Sequence, residues 1–271
     1  MAQVLEREFA EFDIDTEHWR AKKPFGISGC FRLRDEAQFM ERSILSHLDY
    51  LDEAVLVTQP SNDDTVEIAE RMAKENPKIK HFHYPFDVRF INHPLWTGTA
   101  ENSIYSFVYL SNWALSLCRY SWIAKTEGDV ICLPQFERIV DAVNADPMAD
   151  RYYGRVILNV AGENADMISL ENPRNGGLDE AVFPNDPSYH FYLNGKWESV
   201  HIHNAVCFGW SALHMKRSKA EFLPGPWNGE HYIPWTPENV AIACEAYNAL
   251  NGYPGNDNDP LGKCVGERIA L

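Results

Sequence analysis

Residues 121–133 read Ser-Trp-Ile-Ala-Lys-Thr-Glu-Gly-Asp-Val-Ile-Cys-Leu, and the pattern around them indicates the fold. The mostly apolar run Ser121–Thr126 predicts a buried strand. It ends at Glu127 and Asp129, which are separated by Gly128. Two carboxylates spaced i and i+2 after a strand can converge on one hard cation, because such ions prefer oxygen ligands. The triplet alone is equally compatible with two solvated turn carboxylates, so its context has to decide.

Strands and helices alternate along the chain ahead of this stretch. Short apolar runs predict the strands, and apolar residues at helical spacing predict the helices between them. The predicted order is strand Phe25–Phe31, a helix over 36–48 with Asp35 as its N-cap, strand Ala54–Thr58, a helix over 64–75, strand Ile79–Tyr84, a helix over 103–118 and strand Ser121–Thr126. This order is typical of βαβ units with a mostly parallel twisted α/β sheet flanked by helices. Ligands of such sheets bind beyond the carboxyl ends of the strands.

The two ends of the chain are less regular. Residues 1–24 are charged but carry Phe9, Phe12 and Trp19, which predicts a helical arm packed on the body. The second half predicts, in order, a strand over 151–160, a long loop over 162–188, a β-hairpin over 190–203 centred on Asn194-Gly195, a strand over 206–210 and a final helix opened by Thr236. Because the sequence shows no interdomain linker, we expect one domain over residues 1–271.

The charge and the cysteines restrict the class of protein. The chain has 24 Lys and Arg against 39 Asp and Glu, a formal net charge of −15. This acidity disfavours nucleic acid as a partner, since no basic block is present. No secretory signal or apolar stretch of about 20 residues for a membrane span is visible. The six scattered cysteines lack any C-x-x-C pair and are expected to be reduced, as in a cytoplasmic protein.

Several segments, in chain order, resemble family 2-type glycosyltransferases of the GT-A fold. Residues 29–36 resemble the first strand of that family and the turn after it, and residues 52–57 with 61–65 resemble its second strand and loop. Residues 112–115, Asn-Trp-Ala-Leu, are similar to a helix segment that usually reads R-N-x-A-L. Residues 122–129 correspond to the strand that carries a D-x-D-type metal motif. The resemblance covers about half of the chain, and its specificity lies in the order and spacing of the segments.

The resemblance implies a GT-A fold, a nucleotide-diphosphate-sugar donor and a divalent ion, Mn²⁺ or Mg²⁺. Residues 25–135 would form the nucleotide-sugar-binding half, and 136–271 the acceptor-binding half. Asp129 would coordinate the ion directly with help from Glu127, and the ion would neutralise charge on the departing nucleoside diphosphate. The residues expected to bind the donor are Arg32, Arg34, Thr58, Gln59, Asp63, Lys125 and Glu127.

Two positions depart from the family pattern. Thr58 and Gln59 replace the acidic pair whose first member usually contacts the nucleotide base, although the Gln59 amide can still hydrogen-bond a base. Ser111 stands where the family often has Arg, so Arg32, Arg34 or Lys125 are expected to supply the phosphate contact. The local alternatives are that Asp63 and Asp64 cap the following helix and that the two arginines pair with surface acids.

A third metal ligand and a general base are expected from the second half. His203 is the third metal ligand we select; His201, on the same face of the predicted strand, and His231 are the other candidates. An inverting transfer also needs a base for the acceptor hydroxyl, and Glu230 is our choice. Its competitors are Asp166, Asp179 and Glu221.

The predicted function is sugar transfer to a hydroxyl of a saccharide, glycolipid or other acceptor. Aromatic residues crowd the late loops and suit a sugar face, although they also suit a packed core. One alternative is a sugar-phosphate nucleotidylyltransferase, which is disfavoured because residues 28–32 contain a single glycine. Another is a non-catalytic nucleotide-sugar or carbohydrate-binding protein, which Glu127 and Asp129 argue against.

Overall fold

The computed structural model describes residues 9–90, 93–162, 167–169, 180–195, 197–219, 232–236 and 238–239. The described residues form one ten-stranded sheet and a separate two-stranded hairpin. Among the helices of these ranges, none combines the length and the apolar character that crossing a membrane requires.

The first half of the chain builds the parallel part of the sheet, as predicted. Strands β1 (Ile27–Leu33), β2 (Glu53–Thr58), β3 (Ile79–His83) and β4 (Trp122–Glu127) lie in the order β4-β1-β2-β3, and each neighbouring pair is parallel. Helices lie between them in sequence, so the predicted mostly parallel α/β arrangement is confirmed.

Five helices are described, and they cover both faces of this sheet. They are α1 (Thr16–Arg20), α2 (Met40–His47), α3 (Thr65–Glu75), α4 (Phe107–Ser116) and α5 (Glu137–Ala145). Alternate residues of one strand enter opposite cores, since side chains of a strand point to opposite faces. Cys30 packs in the core on the α4 side, whereas Phe31 packs in the core beneath α2, α3 and α5.

The helix after β1 begins later than predicted. It starts at Met40 rather than at Glu36, and Asp35 does not cap it, because Asp35 takes a φ of 55°. Its carboxylate instead accepts a hydrogen bond from the backbone N–H of Asn62, at 2.6 Å. The residues ahead of α2 are thereby tied to the loop after β2, beside the site described below.

The second half extends the sheet with strands of both directions. The strands are β5 (Val130–Cys132), β6 (Tyr153–Ala161), β7 (Met167–Ser169), β8 (Ala181–Pro184), β11 (Val206–Arg217) and β12 (Tyr232–Pro234). The prediction of one long loop over residues 162–188 is wrong, because β8 pairs antiparallel with β4 and thereby joins the centre of the sheet. Local periodicity does not reveal a four-residue strand whose partner lies about 60 residues away.

The predicted hairpin and the packing of the arm are both present. Strands β9 (Phe191–Asn194) and β10 (Trp197–Val200) pair antiparallel, with Gly195 at a φ of 66° in the turn. In the arm, Phe12 and Trp19 are buried, and the Phe12 ring lies 4.9 Å from that of Phe86. The final helix is described only at Glu238 and Asn239.

Candidate functional site

The carboxyl ends of β1, β2 and β4 meet at one edge of the sheet. Leu33 is in register with Thr58, and Arg32 is in register with Glu127. Thr58, Gln59, Glu127 and Asp129, which follow or end these strands in the sequence, therefore lie at the same edge of the sheet, as the rule for parallel sheets implies.

The Glu127–Asp129 turn joins β4 to β5 and is held from two sides. The Ser43 hydroxyl donates to the carbonyl oxygen of Glu127, at 3.0 Å, and the Glu127 N–H donates to the Glu180 carboxylate, also at 3.0 Å. A Cβ on Gly128 would come within 2.9 Å of the Glu36 stem, so glycine is required by close packing. The triplet is thus a fixed element of the sheet edge rather than a solvated turn.

Three side chains at this turn bring ligand atoms together. Glu127, Asp129 and His214 each offer one atom, and these atoms lie within 4.8 Å of one another. The His214 Nε2 atom is 3.4 Å from Asp129 Oδ1 and 3.9 Å from Glu127 Oε2. The other ring nitrogen, Nδ1, lies 2.8 Å from the side-chain oxygen of Asn159. Donation from Nδ1 to that oxygen leaves the Nε2 lone pair facing the carboxylates, which is the tautomer that a metal ligand needs.

Two carboxylates and an imidazole fit a divalent cation. Carboxylate oxygens suit Mg²⁺ and Mn²⁺, and imidazole is a common ligand of transition metals. Asp129 is buried, and its Oδ1 accepts no hydrogen bond from the described residues. An unfilled acceptor of this kind is costly unless a cation or a proton donor meets it.

The sequence argument missed His214. The predicted strand stopped at Trp210, whereas β11 runs to Arg217 and carries His214 beside β5. The available signal was a histidine flanked by Leu213 and Met215 in an otherwise apolar run.

The structure does not bring His203 to the carboxylates. His203 precedes β11 and packs against the Tyr189 ring. His214 lies eight residues after Val206, the first residue of that strand, and thus roughly 25 Å along it. His201 also falls after β10 rather than on it, and it stacks on Tyr192. As third ligand, His214 therefore replaces His203.

A lysine and a third carboxylate complete the acidic cluster. The Lys219 ammonium lies 2.8 Å from Asp129 Oδ2 and 2.8 Å from Glu36 Oε2. Burial acts to raise the pKa of Asp129, but Lys219 and the protonated form of the His214 ring outweigh it and hold that pKa below its usual range. Burial and the Asp129 charge raise the pKa of Glu36 to about 8, against the opposing effect of Lys219.

An open pocket of about 450 Å³ lies against this cluster. Its lining combines carboxylates with two arginines, two phenylalanines, a glutamine and a lysine: Arg32, Arg34, Asp35, Glu36, Gln59, Phe90, Phe107, Glu127, Asp129 and Lys219. Gln59 is 2% exposed, and its side-chain oxygen has no hydrogen-bond donor among the described residues. Gln59 therefore leaves an unfilled, buried acceptor beside the pocket, whose lining also includes the acidic cluster.

The two arginines of the pocket are positioned by aromatic and acidic neighbours. Arg32 stacks over Phe107 at 4.5 Å, pairs with Glu198 at 3.4 Å and donates to the Ser111 hydroxyl. Arg32, from β1, thus lies beside Ser111 of α4, the position at which Arg was expected from the family resemblance. Arg34 stacks over Phe90, with the guanidinium carbon 4.7 Å from the ring centroid.

Three other predicted donor residues do not line the pocket. The Thr58 hydroxyl is 2.7 Å from His81 Nε2, and Asp63 accepts hydrogen bonds from the N–H groups of Ala37 and Thr65. Lys125 is buried at 1% exposure. Asp63 thus joins the loops after β1 and β2 and accepts the N–H of the first residue of α3, whereas Asp64 stands at the N-cap of α3 but its side chain makes no capping hydrogen bond. Glu230, Asp166, Asp179, Glu221 and His231 lie outside the described residues.

No protein-family model matches this sequence, and no curated protein matches it. Among solved structures, the chain is similar to glucosyl-3-phosphoglycerate synthase from Mycobacterium tuberculosis with Mn²⁺ and UDP-glucose, at 13% identity and a TM-score of 0.44, over 87% of this chain and 80% of that one.

It is also similar to the mannosyltransferase PcManGT from Pyrobaculum calidifontis in complex with GDP-Man and Mn²⁺, at 16% identity and a TM-score of 0.38, over 67% of this chain and 54% of that one. A third structure is GalNAc-T7 with UDP, GalNAc and Mn²⁺, at 12% identity and a TM-score of 0.38, over 52% of this chain and 24% of that one. The chain thus spans about half of the mannosyltransferase and a quarter of GalNAc-T7. Similarity at this distance assigns no activity, which has to be argued from the site.

Proposed function

We propose that this protein transfers a glycosyl group from a nucleoside-diphosphate sugar to a hydroxyl acceptor, with a divalent cation at Glu127, Asp129 and His214. The observation that carries the proposal is the convergence of these three ligand atoms within 4.8 Å at the wall of a pocket lined by two arginines. The solved structures named above contain Mn²⁺ with a nucleotide or nucleotide sugar, and the same chemistry suits this set of ligands.

The charges of the site explain why a cation is needed. A diphosphate that approaches Glu127 and Asp129 directly would be repelled by about 1–4 kcal/mol per close charge pair. A bound divalent ion reverses the sign of this interaction and stabilises the leaving nucleoside diphosphate. Arg32 and Arg34 supply fixed positive charge across the pocket, where planar guanidinium groups suit phosphate oxygens.

Each of the remaining pocket residues suits a different part of the donor. The Gln59 side-chain oxygen is buried and lacks a donor among the described residues, so it suits an N–H of the nucleotide base. Phe90 and Phe107 hold the arginines and give the pocket apolar walls. We propose Glu230 as the general base, with a saccharide or another hydroxyl compound as the acceptor.

The decisive experiment is calorimetric titration of nucleotides and nucleotide sugars into the wild type, Asp129→Asn and Glu127→Gln, each with Mn²⁺ and with EDTA. We expect donor binding that depends on Mn²⁺ in the wild type and is lost in Asp129→Asn. Asp141→Asn removes an exposed aspartate of α5 and serves as the matched control. Equal donor affinity under all conditions would refute the metal site.

The products separate transfer from the two alternatives. Glycosyl transfer or hydrolysis of the nucleotide sugar releases a nucleoside diphosphate, whereas nucleotidylyl transfer from a nucleoside triphosphate to a sugar phosphate releases pyrophosphate. A donor that binds with Mn²⁺ but yields neither product with any acceptor or with water indicates a binding protein. Glu230→Gln should bind the donor normally and lower transfer by roughly 10²–10⁴-fold, if Glu230 is the base.

A further inference from the structure

One ammonium group bridges two carboxylates at the edge of the metal cluster. Lys219 Nζ lies 2.8 Å from Asp129 Oδ2, 2.8 Å from Glu36 Oε2 and 2.9 Å from Glu36 Oε1. The three side chains are 11%, 3% and 15% exposed, in the order Lys219, Asp129, Glu36. Contacts this short between groups this deeply buried are stronger than a surface ion pair.

The bridge is part of the packing of the site. The stem of Glu36 lies against Gly128, so close that a Cβ there would be 2.9 Å from it. On the other side, the residue before Lys219 accepts a hydrogen bond through its carbonyl oxygen from Gln38, at 3.3 Å. Lys219 is thereby held in place at the end of β11, five residues after His214.

The bridge divides the two oxygens of Asp129 between two cations. Oδ2 is taken by Lys219, whereas Oδ1 faces His214 Nε2 at 3.4 Å, accepts no hydrogen bond from the described residues and is the oxygen left for a metal ion. Asp129 can therefore give a divalent ion one oxygen without breaking its ion pair. A positive charge that shares a carboxylate with a divalent ion also repels that ion.

We infer that Lys219 is a built-in counter-cation that weakens the affinity of the Glu127–Asp129–His214 site for the free divalent ion and keeps Asp129 a single-oxygen ligand. The inference rests on the proposed function, because it assumes that this cluster is the metal site. Lys219 acts through Asp129 and is a positioning residue. In its ionised form Glu36 has the opposite effect, since its two oxygens draw the ammonium away from Asp129 and it adds negative charge.

Titration of Mn²⁺ alone into the full-length protein tests this, without donor or acceptor and at a pH above the Glu36 pKa of about 8, where that carboxylate is ionised. Lys219→Met should bind Mn²⁺ at least tenfold more tightly than the wild type, because a repelling charge is removed and Asp129 gains a second available oxygen. Glu36→Gln should bind Mn²⁺ several-fold more weakly, although Glu36 is not in the ligand set. Lys219→Arg keeps the charge and should stay near the wild type.

The matched control for the change of net charge is Lys74→Met, because Lys74 is 79% exposed on α3. Its Mn²⁺ affinity should stay within about twofold of the wild type. Opposite shifts in Lys219→Met and Glu36→Gln support the inference. A purely structural role would weaken Mn²⁺ binding in both variants, and either that result or no change in both would overturn it. If Lys219→Met does not fold, the Glu36→Gln variant is sufficient for the test: a Mn²⁺ affinity equal to or tighter than that of the wild type overturns the inference.

The same titrations separate this inference from the proposed function. If Mn²⁺ binding is absent in both the wild type and Lys219→Met, or is unaffected by Asp129→Asn, the metal site itself is refuted, and the inference with it. If binding depends on Asp129 but the Lys219 and Glu36 variants do not shift as stated, only the inference fails.

Discussion

Replacing Glu180 with glutamine tests the buried ion pair that lies beneath the Glu127–Asp129 turn. Both Glu180 and its partner Arg155 are fully buried, with 2.8 Å between Oε2 and Nη1. The other oxygen, Oε1, accepts hydrogen bonds from the Thr126 hydroxyl at 2.7 Å and the Glu127 N–H at 3.0 Å. Glutamine keeps the shape and can keep the Oε1 contacts, but it places an NH₂ group against the guanidinium.

The expected loss of unfolding free energy follows from the Arg155 charge, which stays buried when Glu180 is replaced. Removing one partner of a buried ion pair costs about 3–5 kcal/mol, because the other charge stays buried without compensation. Arg155 retains contacts to the Ser211 carbonyl oxygen, at 3.0 Å, and to the neutral His47 ring, at 3.1 Å, which places the expected cost toward the lower end of that range. Such a loss is a large fraction of the 5–15 kcal/mol typical of folded domains.

Urea unfolding at a pH above the Glu180 pKa, which burial raises to about 7, measures this cost for the ionised pair, and a double-mutant cycle assigns it. Arg155→Met in the Glu180→Gln background removes the stranded charge, so the double variant should cost about 1–3 kcal/mol less than the sum of the two single variants. Glu75→Gln breaks an exposed pair with Arg71 and should hardly move the urea midpoint, because solvent screens that pair. A Glu180→Gln cost below about 1 kcal/mol, or strict additivity in the cycle, contradicts the reasoning.

Three further predictions concern the same region. Gly128→Ala should lower the free energy of unfolding in urea by about 1–3 kcal/mol and weaken Mn²⁺ binding, since its Cβ would lie 2.7 Å from a neighbouring side chain. Gly154→Ala is the control: its Cβ would have 3.7 Å available, so both effects should be smaller. Asn159→Ala should weaken Mn²⁺ binding about 10–100-fold in calorimetry by releasing the His214 ring, and unchanged affinity would rule out that orienting role. Burial and a nearby guanidinium lower the pKa of His47 to about 3 in the folded protein, so between pH 6.5 and 5 only the unfolded chain binds a proton at this residue. The wild type should therefore lose up to about 1.4 kcal/mol of unfolding free energy per pH unit over this range relative to His47→Gln. Urea stabilities of the two proteins that change in parallel with pH would contradict this.

The sequence alone was sufficient for the parallel half of the sheet. Apolar runs and helical spacing are local signals, so β1 to β4 and the helices between them could be placed to within a few residues. The carboxyl-edge rule then brought Thr58, Gln59, Glu127 and Asp129 together without any knowledge of contacts. The hairpin at Gly195 was equally local, since its turn is encoded by two adjacent residues.

The start of α2 and the role of Asp35 were wrong for a related reason. A capping residue and a loop residue look alike in sequence, and only the contact with Asn62 from the next loop decides between them. Asp63 shows the same ambiguity, because its bonds to Ala37 and Thr65 span two loops. In both cases the carboxylate accepts a hydrogen bond from the backbone of the other loop, a contact that local sequence does not reveal.

Only the tertiary structure decided how the metal cluster is completed. Asp129 and His214 are 85 residues apart in the chain, and Glu36 and Lys219 are 183 apart. A histidine in one strand does not reveal which neighbour it will face until the partner strand and its register are known, which is why His203 was selected and His214 was missed. The sequence therefore determined which edge of the sheet carries the chemistry. The long-range pairing of β11 with β5 and β6 decided which side chains meet there, because that pairing sets side-chain positions along the strands.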